Sequence, residues 1–196
     1  MSDAIVYLVR HGQTAWNAEG RLQGQADTDL NDTGRAQARR NGARLAGLIA
    51  DPAATDFVAS PLKRTRETME LLRTAMGLAP DGYRTDPRLV EVHFGDWQGR
   101  TFKELEAADP GCFLRREEDK WRFVPPGEAA ESYERLAERV LPCLEGFSRD
   151  TVCVTHGGVL RAVFRLTGAL PAAECAALAI PQDRVLRLKG GALDWL

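Results

Sequence analysis

Two histidines occupy matching positions in the chain, each at the end of an apolar run and each followed by glycine. His11 stands in LVRHG and His156 in CVTHGG. A neutral imidazole can act as a nucleophile, and a glycine lets backbone and ligand approach closely because it has no Cβ. One such histidine would be weak evidence, but two in the same context indicate a shared chemical site.

Arginines accompany these histidines in a way that suits an anionic substrate. Arg10 directly precedes His11, and Arg64 follows a second apolar run in the segment SPLKRTRET. A planar guanidinium stays charged at working pH and binds phosphate oxygens through paired hydrogen bonds. Two guanidiniums and two imidazoles would neutralise a phosphoryl dianion without a metal ion. Arg66, in the first turn of the same predicted helix, is expected to be a solvated surface residue.

Alternating strand and helix patterns predict a fold in which these histidines and arginines lie close together. Predicted strands cover 4–9, 57–59, 83–86, 151–155 and a closing hairpin of 184–188 and 192–196. Predicted helices cover 31–49, 62–76, a short segment from Thr101, 133–147 and 157–166. This order predicts an α/β fold, a three-layer α/β/α sandwich with a mainly parallel central sheet. Ligands of such sheets bind beyond the carboxyl ends of the strands, where both histidines are expected.

Composition narrows the class of protein further. The 196 residues suit a single domain, and the net charge of −2 provides no basic field for nucleic acid or an anionic membrane. The first residues lack the pattern of a secretory signal, and no apolar run approaches the roughly 18 residues of a membrane span. The four cysteines form neither a C-x-x-C pair nor a disulfide framework. We therefore expect reduced thiols in a cytoplasmic protein.

A competing motif is present but lacks the required context. Cys143 and Arg149 have the C-x₅-R spacing of cysteine phosphatases. That chemistry needs the cysteine at a strand end, with loop amides around the phosphate. Cys143 instead falls late in a predicted amphipathic helix, so we reject the cysteine mechanism.

Four segments together resemble the histidine phosphatase superfamily, in the branch shared with cofactor-dependent phosphoglycerate mutases. The first runs from LVRHGQTAWN into GRLQGQADTDLNDTGRAQA, and SPLKRTRET, LVEVHFGDWQG and VTHGGVLR follow in the family's order. These matches span residues 5–161. The resemblance implies a phosphoglycerate mutase-like fold, with one domain over 1–196 in which 88–127 is a substrate-side insertion or lid. It also implies that neither a cofactor nor a metal is used.

The resemblance assigns a role to individual positions. His11 would become phosphorylated, and Glu91 would donate and accept the proton. Arg10, Arg64 and His156 would complete the catalytic set. The implied substrate-binding residues are Arg10, Asn17, Gln23, Gly24, Arg64, His156 and Gly157. The implied activity is hydrolysis of a small phosphomonoester. Without the resemblance Glu91 would be taken for an exposed loop carboxylate. His93 is expected either to be structural or to support a site residue without contacting the substrate.

Two other functions stay open. A cofactor-dependent phosphoglycerate mutase must bind a bisphosphate, for which Arg115 and Arg116 are candidate ligands, although the family's mutases usually carry a longer insertion here. A protein that binds phosphorylated ligands without turnover is the second, and the complete set of polar residues speaks against it. The motifs specify neither the physiological phosphoester nor whether the chain is a monomer or a homodimer.

Overall fold

A six-stranded sheet forms the centre of the computed structural model, which describes residues 4–196. The strands are β1 (Val6–Arg10), β2 (Asp56–Ala59), β3 (Arg84–Thr85), β4 (Thr151–Thr155), β5 (Val185–Lys189) and β6 (Ala192–Trp195). The helices are α1 (Ala15–Ala18), α2 (Asp32–Ala46), α3 (Lys63–Ala75), α4 (Phe102–Ala108), α5 (Cys112–Glu118), α6 (Tyr133–Glu145), α7 (Gly157–Leu166) and α8 (Ala172–Ala177). Short 3₁₀ turns lie at Pro87–Leu89 and Gly95–Trp97.

The strand order is β3-β2-β4-β1-β5-β6. The pairs β1–β4, β2–β4 and β2–β3 are parallel, whereas β1–β5 and β5–β6 are antiparallel. This confirms the predicted mainly parallel sheet and its closing hairpin. Because β1 and β4 are central neighbours, the residues that follow them emerge side by side at one edge.

Two apolar layers cover the sheet. Side chains of a strand alternate between faces, and along β1 Val6 and Leu8 join one core cluster while Tyr7 and Val9 join the other. The first cluster packs mainly against α6, α7 and α8 and the second against α2 and α3. The three-layer α/β/α sandwich is therefore confirmed.

The segment 88–127 is more regular than predicted. One short helix was expected, and α4 forms there with the capping box of Thr101 and Glu104. A second helix, α5, covers part of 115–120, a charged stretch whose composition indicates an exposed loop. Cys112 and Arg116, one turn apart, are both buried on its inner face. Trp97, Leu105 and Cys112 form a small separate core in this segment.

Other differences from the sequence patterns are small. Helix α2 begins after its N-cap Asn31, the first residue of the predicted range 31–49. It ends at Ala46, because Gly47 forms the C-cap before the predicted end. Helix α6 runs through Pro142, although a proline inside a helix lacks the amide donor and commonly kinks it. The patterns missed α1 and α8, which are only four and six residues long. No helix of the described chain is both long and apolar enough to cross a membrane.

Candidate active site

Strand register brings the two histidines together. Arg10 pairs with Thr155 across the parallel β1–β4 ladder, and the His11 amide continues it by donating to the Thr155 carbonyl at 2.9 Å. His156 is the next residue, so the two imidazole rings lie edge to face with centroids 5.2 Å apart. The prediction that these distant segments converge is confirmed.

The His11 ring is held in one tautomer. Its Nδ1 lies 2.8 Å from the Gly12 carbonyl, an acceptor only, so Nδ1 carries the proton and Nε2 keeps its lone pair. Burial, followed by the charges of Arg64 and Arg10, holds the pKa of His11 well below its usual value. The ring is therefore neutral at physiological pH, with Nε2 available for attack.

Arg64 connects both histidines to the neighbouring loop. Its Nε donates to His11 Nε2 at 3.3 Å, and one terminal nitrogen donates to His156 Nδ1 at 3.2 Å. The carbonyls of Gly24 and Ala26 each accept from the guanidinium at 2.7 Å. Its side chain is fully buried, and burial lowers its pKa to about 10, which leaves the guanidinium charged at neutral pH.

His156 is oriented by Ser60, a residue for which no site role was predicted. Because His156 Nδ1 accepts from Arg64, its Nε2 carries the proton and donates to Ser60 Oγ at 2.8 Å. Ser60 follows the end of β2, and its amide donates to the Val154 carbonyl of β4 at 3.0 Å. The rule that located the histidines, polar residues at the ends of neighbouring parallel strands, also applies to Ser60.

Arg10 offers an unused donor beside a glycine. One terminal nitrogen donates to the Ile180 carbonyl at 2.7 Å, whereas the buried Nε has no hydrogen-bond partner among residues 4–196. A Cβ on Gly157 would lie 3.4 Å from this Nε and 3.5 Å from a terminal nitrogen of Arg161. The missing side chain at Gly157 leaves space between these guanidiniums that an anion can occupy.

The Glu91 carboxylate rests on the first turn of α7. The Gly158 amide donates to both of its oxygens, at 3.1 and 3.0 Å, and the Val92 amide donates to Oε1 at 2.9 Å. A helix N-terminus favours negative charge, so α7 fixes this carboxylate electrostatically as well. Gly158 allows the contact, since a Cβ there would lie 2.1 Å from Glu91 Oε1.

Side chains from three separate parts of the chain hydrogen-bond to the backbone around Glu91. Arg139 of α6 donates to the carbonyls of Arg88 and Val90 at 2.8 and 3.0 Å. Thr155 Oγ1 donates to the Leu89 carbonyl at 2.8 Å, and Gln25 Nε2 donates to the Glu91 carbonyl at 3.0 Å. These hydrogen bonds fix the backbone of residues 88–91, so the Glu91 carboxylate has a defined position although no strand carries it.

Asn17 and Gln23 also line the cleft, but their side chains are already engaged. Asn17 Oδ1 accepts from the Thr14 amide at 3.2 Å and from Gln182 Nε2 at 3.1 Å. Its Nδ2 has no hydrogen bond to another described residue. Gln23 donates to Thr14 Oγ1 at 2.6 Å and accepts from the Thr28 hydroxyl at 2.9 Å. Gln182, which also donates to the His11 carbonyl at 3.0 Å, had no recognisable motif.

These groups share one cleft of about 260 Å³. Eight of the nine predicted site residues line it. The ninth, His156, does not line the cleft but contacts the Arg64 guanidinium and the His11 ring. The lining also includes Phe94, Phe102, Phe113 and Lys120 of the predicted substrate-side segment 88–127. Arg21, Tyr133 and Arg161 line the cleft as well and were not predicted. Arg116 reaches the cleft, whereas Arg115 pairs with Asp109 outside it.

Arg66, His93 and Cys143, which were not predicted to be site residues, lie outside this cleft. Arg66 is exposed, and His93 accepts from the Gly95 amide at 3.0 Å. Cys143 is buried within α6, as the rejection of the cysteine mechanism requires. Within the described chain, no group of three or more His, Cys, Asp or Glu side chains is arranged to hold a metal ion.

Comparisons with known proteins agree with this geometry. The family model of the histidine phosphatase superfamily (branch 1) matches residues 6–192. Glucosyl-3-phosphoglycerate phosphatase of Mycolicibacterium vanbaalenii is 37% identical over 202 residues, covering 96% of this chain and 81% of that protein. Metal-independent phosphoserine phosphatase of Arabidopsis thaliana is 36% identical over 175 residues, covering 86% and 71%.

A solved structure has a similar fold. A mycobacterial glucosyl-3-phosphoglycerate phosphatase in complex with VO3 superimposes with a TM-score of 0.79 at 32% identity, covering 98% of this chain and 96% of that one. The similarity extends over nearly the whole length of both chains. The chain belongs to the histidine phosphatase superfamily.

Proposed function

We propose that this protein hydrolyses the phosphomonoester of a small metabolite through a phosphohistidine on His11. The observation that carries the proposal is the convergence of Arg10, Arg64 and His156 on the His11 ring. Phosphoryl transfer depends mainly on positioning and on charge stabilisation, and this arrangement supplies both. The relatives named as phosphatases of glucosyl-3-phosphoglycerate and phosphoserine support hydrolysis of a small substrate.

The phosphoryl group would bind in the space beside Gly157. Arg10 Nε is buried without a partner, and the Asn17 Nδ2 faces no competing acceptor among the described residues. Arg64 supplies further donors, once it exchanges its 3.3 Å contact with His11 Nε2 for a phosphate oxygen, and His156 orients Arg64 by accepting at Nδ1. Gln23 and Gly24 contribute by shaping the loop over Arg64, since the Gly24 carbonyl holds its guanidinium.

Transfer begins with attack of the neutral His11 Nε2 on phosphorus. The N–P bond forms as the ester P–O bond breaks, and the Gly12 carbonyl stabilises the Nδ1–H of the resulting phosphohistidine. The two guanidiniums offset charge on the phosphoryl oxygens in the transition state. Because burial and the neighbouring guanidiniums lower the pKa of His11, the lone pair is available without prior deprotonation.

Glu91 would serve both halves of the reaction. An alkoxide is a poor leaving group, so Glu91 donates a proton to the ester oxygen as it departs. The same carboxylate then accepts a proton from water, which attacks phosphorus and releases inorganic phosphate and His11. Its docking on the Gly158 amide places the carboxylate in the wall of the phosphate cleft.

The segment 88–127 would cap the leaving-group side within a single domain. Trp97, Leu105 and Cys112 give this segment a small core of its own, which supports its role as a cap. The rings of Phe102 and Phe113 line the cleft and pack edge to face, with centroids 5.3 Å apart. The four buried free thiols support a cytoplasmic location.

Phosphoglycerate mutase activity is the second candidate, favoured by one observation. Arg116 and Lys120 add positive charge to the cleft, as a bisphosphate would require. Isomerisation of phosphoglycerate on addition of bisphosphoglycerate, without net phosphate release, would select the mutase. Binding of a phosphorylated ligand with no turnover would select a non-catalytic role.

The test is phosphate release from an aryl phosphate and from a panel of phosphomonoesters, with and without EDTA. We expect turnover that EDTA leaves unchanged and that His11→Ala abolishes while circular dichroism remains that of the wild type. His93→Asn, which keeps an acceptor for the Gly95 amide, is the matched control and should remain active. Turnover by His11→Ala near the wild-type rate would refute the mechanism.

A further inference from the structure

The segment 178–183, between α8 and β5, contacts the phosphate site although it forms neither a helix nor a strand. Its backbone carbonyls accept hydrogen bonds from four side chains of β1, α2 and α7. These bonds run from Arg161 to Leu178 at 2.9 Å, from Arg10 to Ile180 at 2.7 Å, from Asn41 to Gln182 at 3.0 Å and from Arg44 to Asp183 at 3.3 Å. The segment is therefore held in a defined conformation beside the site.

Gln182 extends its side-chain amide from this segment towards two residues of the site. Its Nε2 donates to the His11 carbonyl at 3.0 Å and to Asn17 Oδ1 at 3.1 Å, so both of its N–H groups are used. Asn41, which is buried in α2, holds the Gln182 backbone by donating to its carbonyl. The backbone and the side chain of Gln182 are thus both fixed.

The contact with His11 fixes the peptide that follows the nucleophile. The carbonyl of the His11–Gly12 peptide accepts from Gln182, and its N–H donates to Thr68 Oγ1 at 3.1 Å. A backbone carbonyl can only accept, so it determines which end of the Gln182 amide faces it. The His11 carbonyl therefore requires the Gln182 NH2 group at this place.

The contact with Asn17 determines which end of the Asn17 amide faces the cleft. Asn17 Oδ1 accepts from the Thr14 amide at 3.2 Å and from Gln182 Nε2 at 3.1 Å. Both partners are N–H groups, so a reversed amide would set the Asn17 NH2 group against two donors. In the observed orientation Nδ2 has no acceptor within the described chain, and Asn17 lines the cleft. The amide therefore offers a donor to an anion, where a reversed amide would offer an oxygen.

We propose that Gln182 is a positioning residue, which orients the Asn17 amide so that its Nδ2 donates to the phosphoryl group. The His11 carbonyl fixes the Gln182 amide, and the Gln182 amide in turn fixes that of Asn17. This inference rests on the proposed function, because it concerns how the site binds phosphate. It adds a residue of the segment 178–183, for which no role was predicted.

An NMR titration with inorganic phosphate tests the proposal without requiring turnover. Gln182→Met removes the donor at nearly constant length, and Gln182→Glu keeps the shape but replaces the NH2 group with a carboxylate oxygen. Each variant should bind phosphate about tenfold more weakly than the wild type, which is typical of a lost hydrogen bond. Asp183→Asn is the matched control, because Asp183 is exposed and its side chain makes no hydrogen bond among residues 4–196. This control should bind phosphate as the wild type does.

The side-chain amide of Asn17 gives a readout that a merely structural role of Gln182 would not change. Its proton–nitrogen resonances are identified by their absence from the spectrum of Asn17→Ala. They should move downfield when phosphate saturates the wild type, and by a much smaller amount in either Gln182 variant. Gln182→Met should add little to the loss of affinity caused by Asn17→Ala, because both changes impair the same donor.

The outcomes separate this inference from the proposed function. Wild-type affinity and a wild-type Asn17 shift in both folded Gln182 variants would overturn the positioning role and leave the phosphatase proposal standing. A loss in Gln182→Glu alone would also overturn it, since the added charge would then be the cause, and so would losses that multiply in the double variant. If circular dichroism shows that Gln182→Met is unfolded, Gln182→Leu takes its place.

The wild type decides the remaining cases. Phosphate binding without hydrolysis of any phosphomonoester would overturn the proposed function alone, and the Gln182 variants would still decide the positioning role. A wild type that binds no phosphate would overturn both.

Discussion

Gly158→Ala tests whether the docked position of Glu91 matters for catalysis. A Cβ at this position would lie 2.1 Å from Glu91 Oε1, whereas ordinary contacts begin near 3.4 Å. The carboxylate must therefore move by more than about 1 Å, and it loses the contacts of 3.1 and 3.0 Å from the Gly158 amide. The substitution changes no atom of Glu91 itself.

The expected loss follows from this displacement. Misplacement of a reacting group by about 1 Å can cost on the order of 100-fold, which corresponds to roughly 2.7 kcal/mol of activation free energy. Complete loss of acid–base assistance is typically worth about 10²–10⁴-fold. We therefore expect kcat/KM for an alkyl phosphate to fall by about 100-fold. The added Cβ would also lie 3.0 Å from Cδ2 of the buried Leu136, so the unfolding midpoint is measured as well and turnover is compared at a temperature where both proteins are folded.

Leaving-group dependence identifies the cause of the loss. A nitrophenolate departs with little help from an acid, so kcat/KM for p-nitrophenyl phosphate should fall much less than that for an alkyl phosphate. Glu91→Gln should show the same pattern, and Gly158→Ala should add little to it, because the two variants impair the same group. Gly47→Ala is the matched control, since its Cβ would meet only the Arg44 carbonyl at 3.5 Å.

Three results would refute this reasoning. Alkyl phosphate turnover by Gly158→Ala within about twofold of the wild type would show that the docked carboxylate is not required. Equal losses on alkyl and aryl substrates would place the defect in phosphate binding. A double variant whose loss equals the product of the single losses would show that Gly158 and Glu91 act independently.

Three further predictions concern the phosphate site. Ser60→Ala leaves the buried His156 Nε2–H without its acceptor, so inhibition by vanadate should weaken by about tenfold; an unchanged inhibition constant contradicts the assignment. Arg64→Lys cannot contact both histidines and both loop carbonyls at once, so kcat/KM should fall on the order of 10³-fold, and a loss below about tenfold contradicts it. Because the pKa values of His11 and His156 are held well below normal, the unfolded state binds more protons below about pH 6.5. Urea unfolding should therefore show stability decreasing from pH 7.5 to 5.5, by up to about 1.4 kcal/mol per histidine per pH unit, and a flat profile would contradict the buried neutral rings.

The sequence predicts the histidine pair well for a simple reason. Parallel strands place the residues after their carboxyl ends at the same edge, so recognising two strands that end in His-Gly is enough to bring His11 and His156 together. The buried strands are continuous apolar runs that are easy to recognise. Ser60 satisfies the same rule after β2 and could have been included on that ground.

The position of Glu91 is harder to predict because no regular element carries it. It depends on Arg139, Thr155 and Gln25, which hold the surrounding backbone from three separate parts of the chain. The helix α5 was missed for another reason. Its charged residues indicate an exposed loop, but tertiary packing buries Arg116 and directs it to the cleft.

Covalent phosphorylation of His11 is tested most directly by trapping the intermediate. Glu91→Gln should still transfer a phosphoryl group from p-nitrophenyl phosphate, yet lacks the base that activates water for the second step. Mixing the two should release a burst of nitrophenol close to one equivalent per chain. Peptide mass spectrometry at alkaline pH should then locate one acid-labile phosphoryl group on His11. A burst that persists in His11→Ala/Glu91→Gln, or a phosphoryl group on any other residue, would contradict a His11 nucleophile.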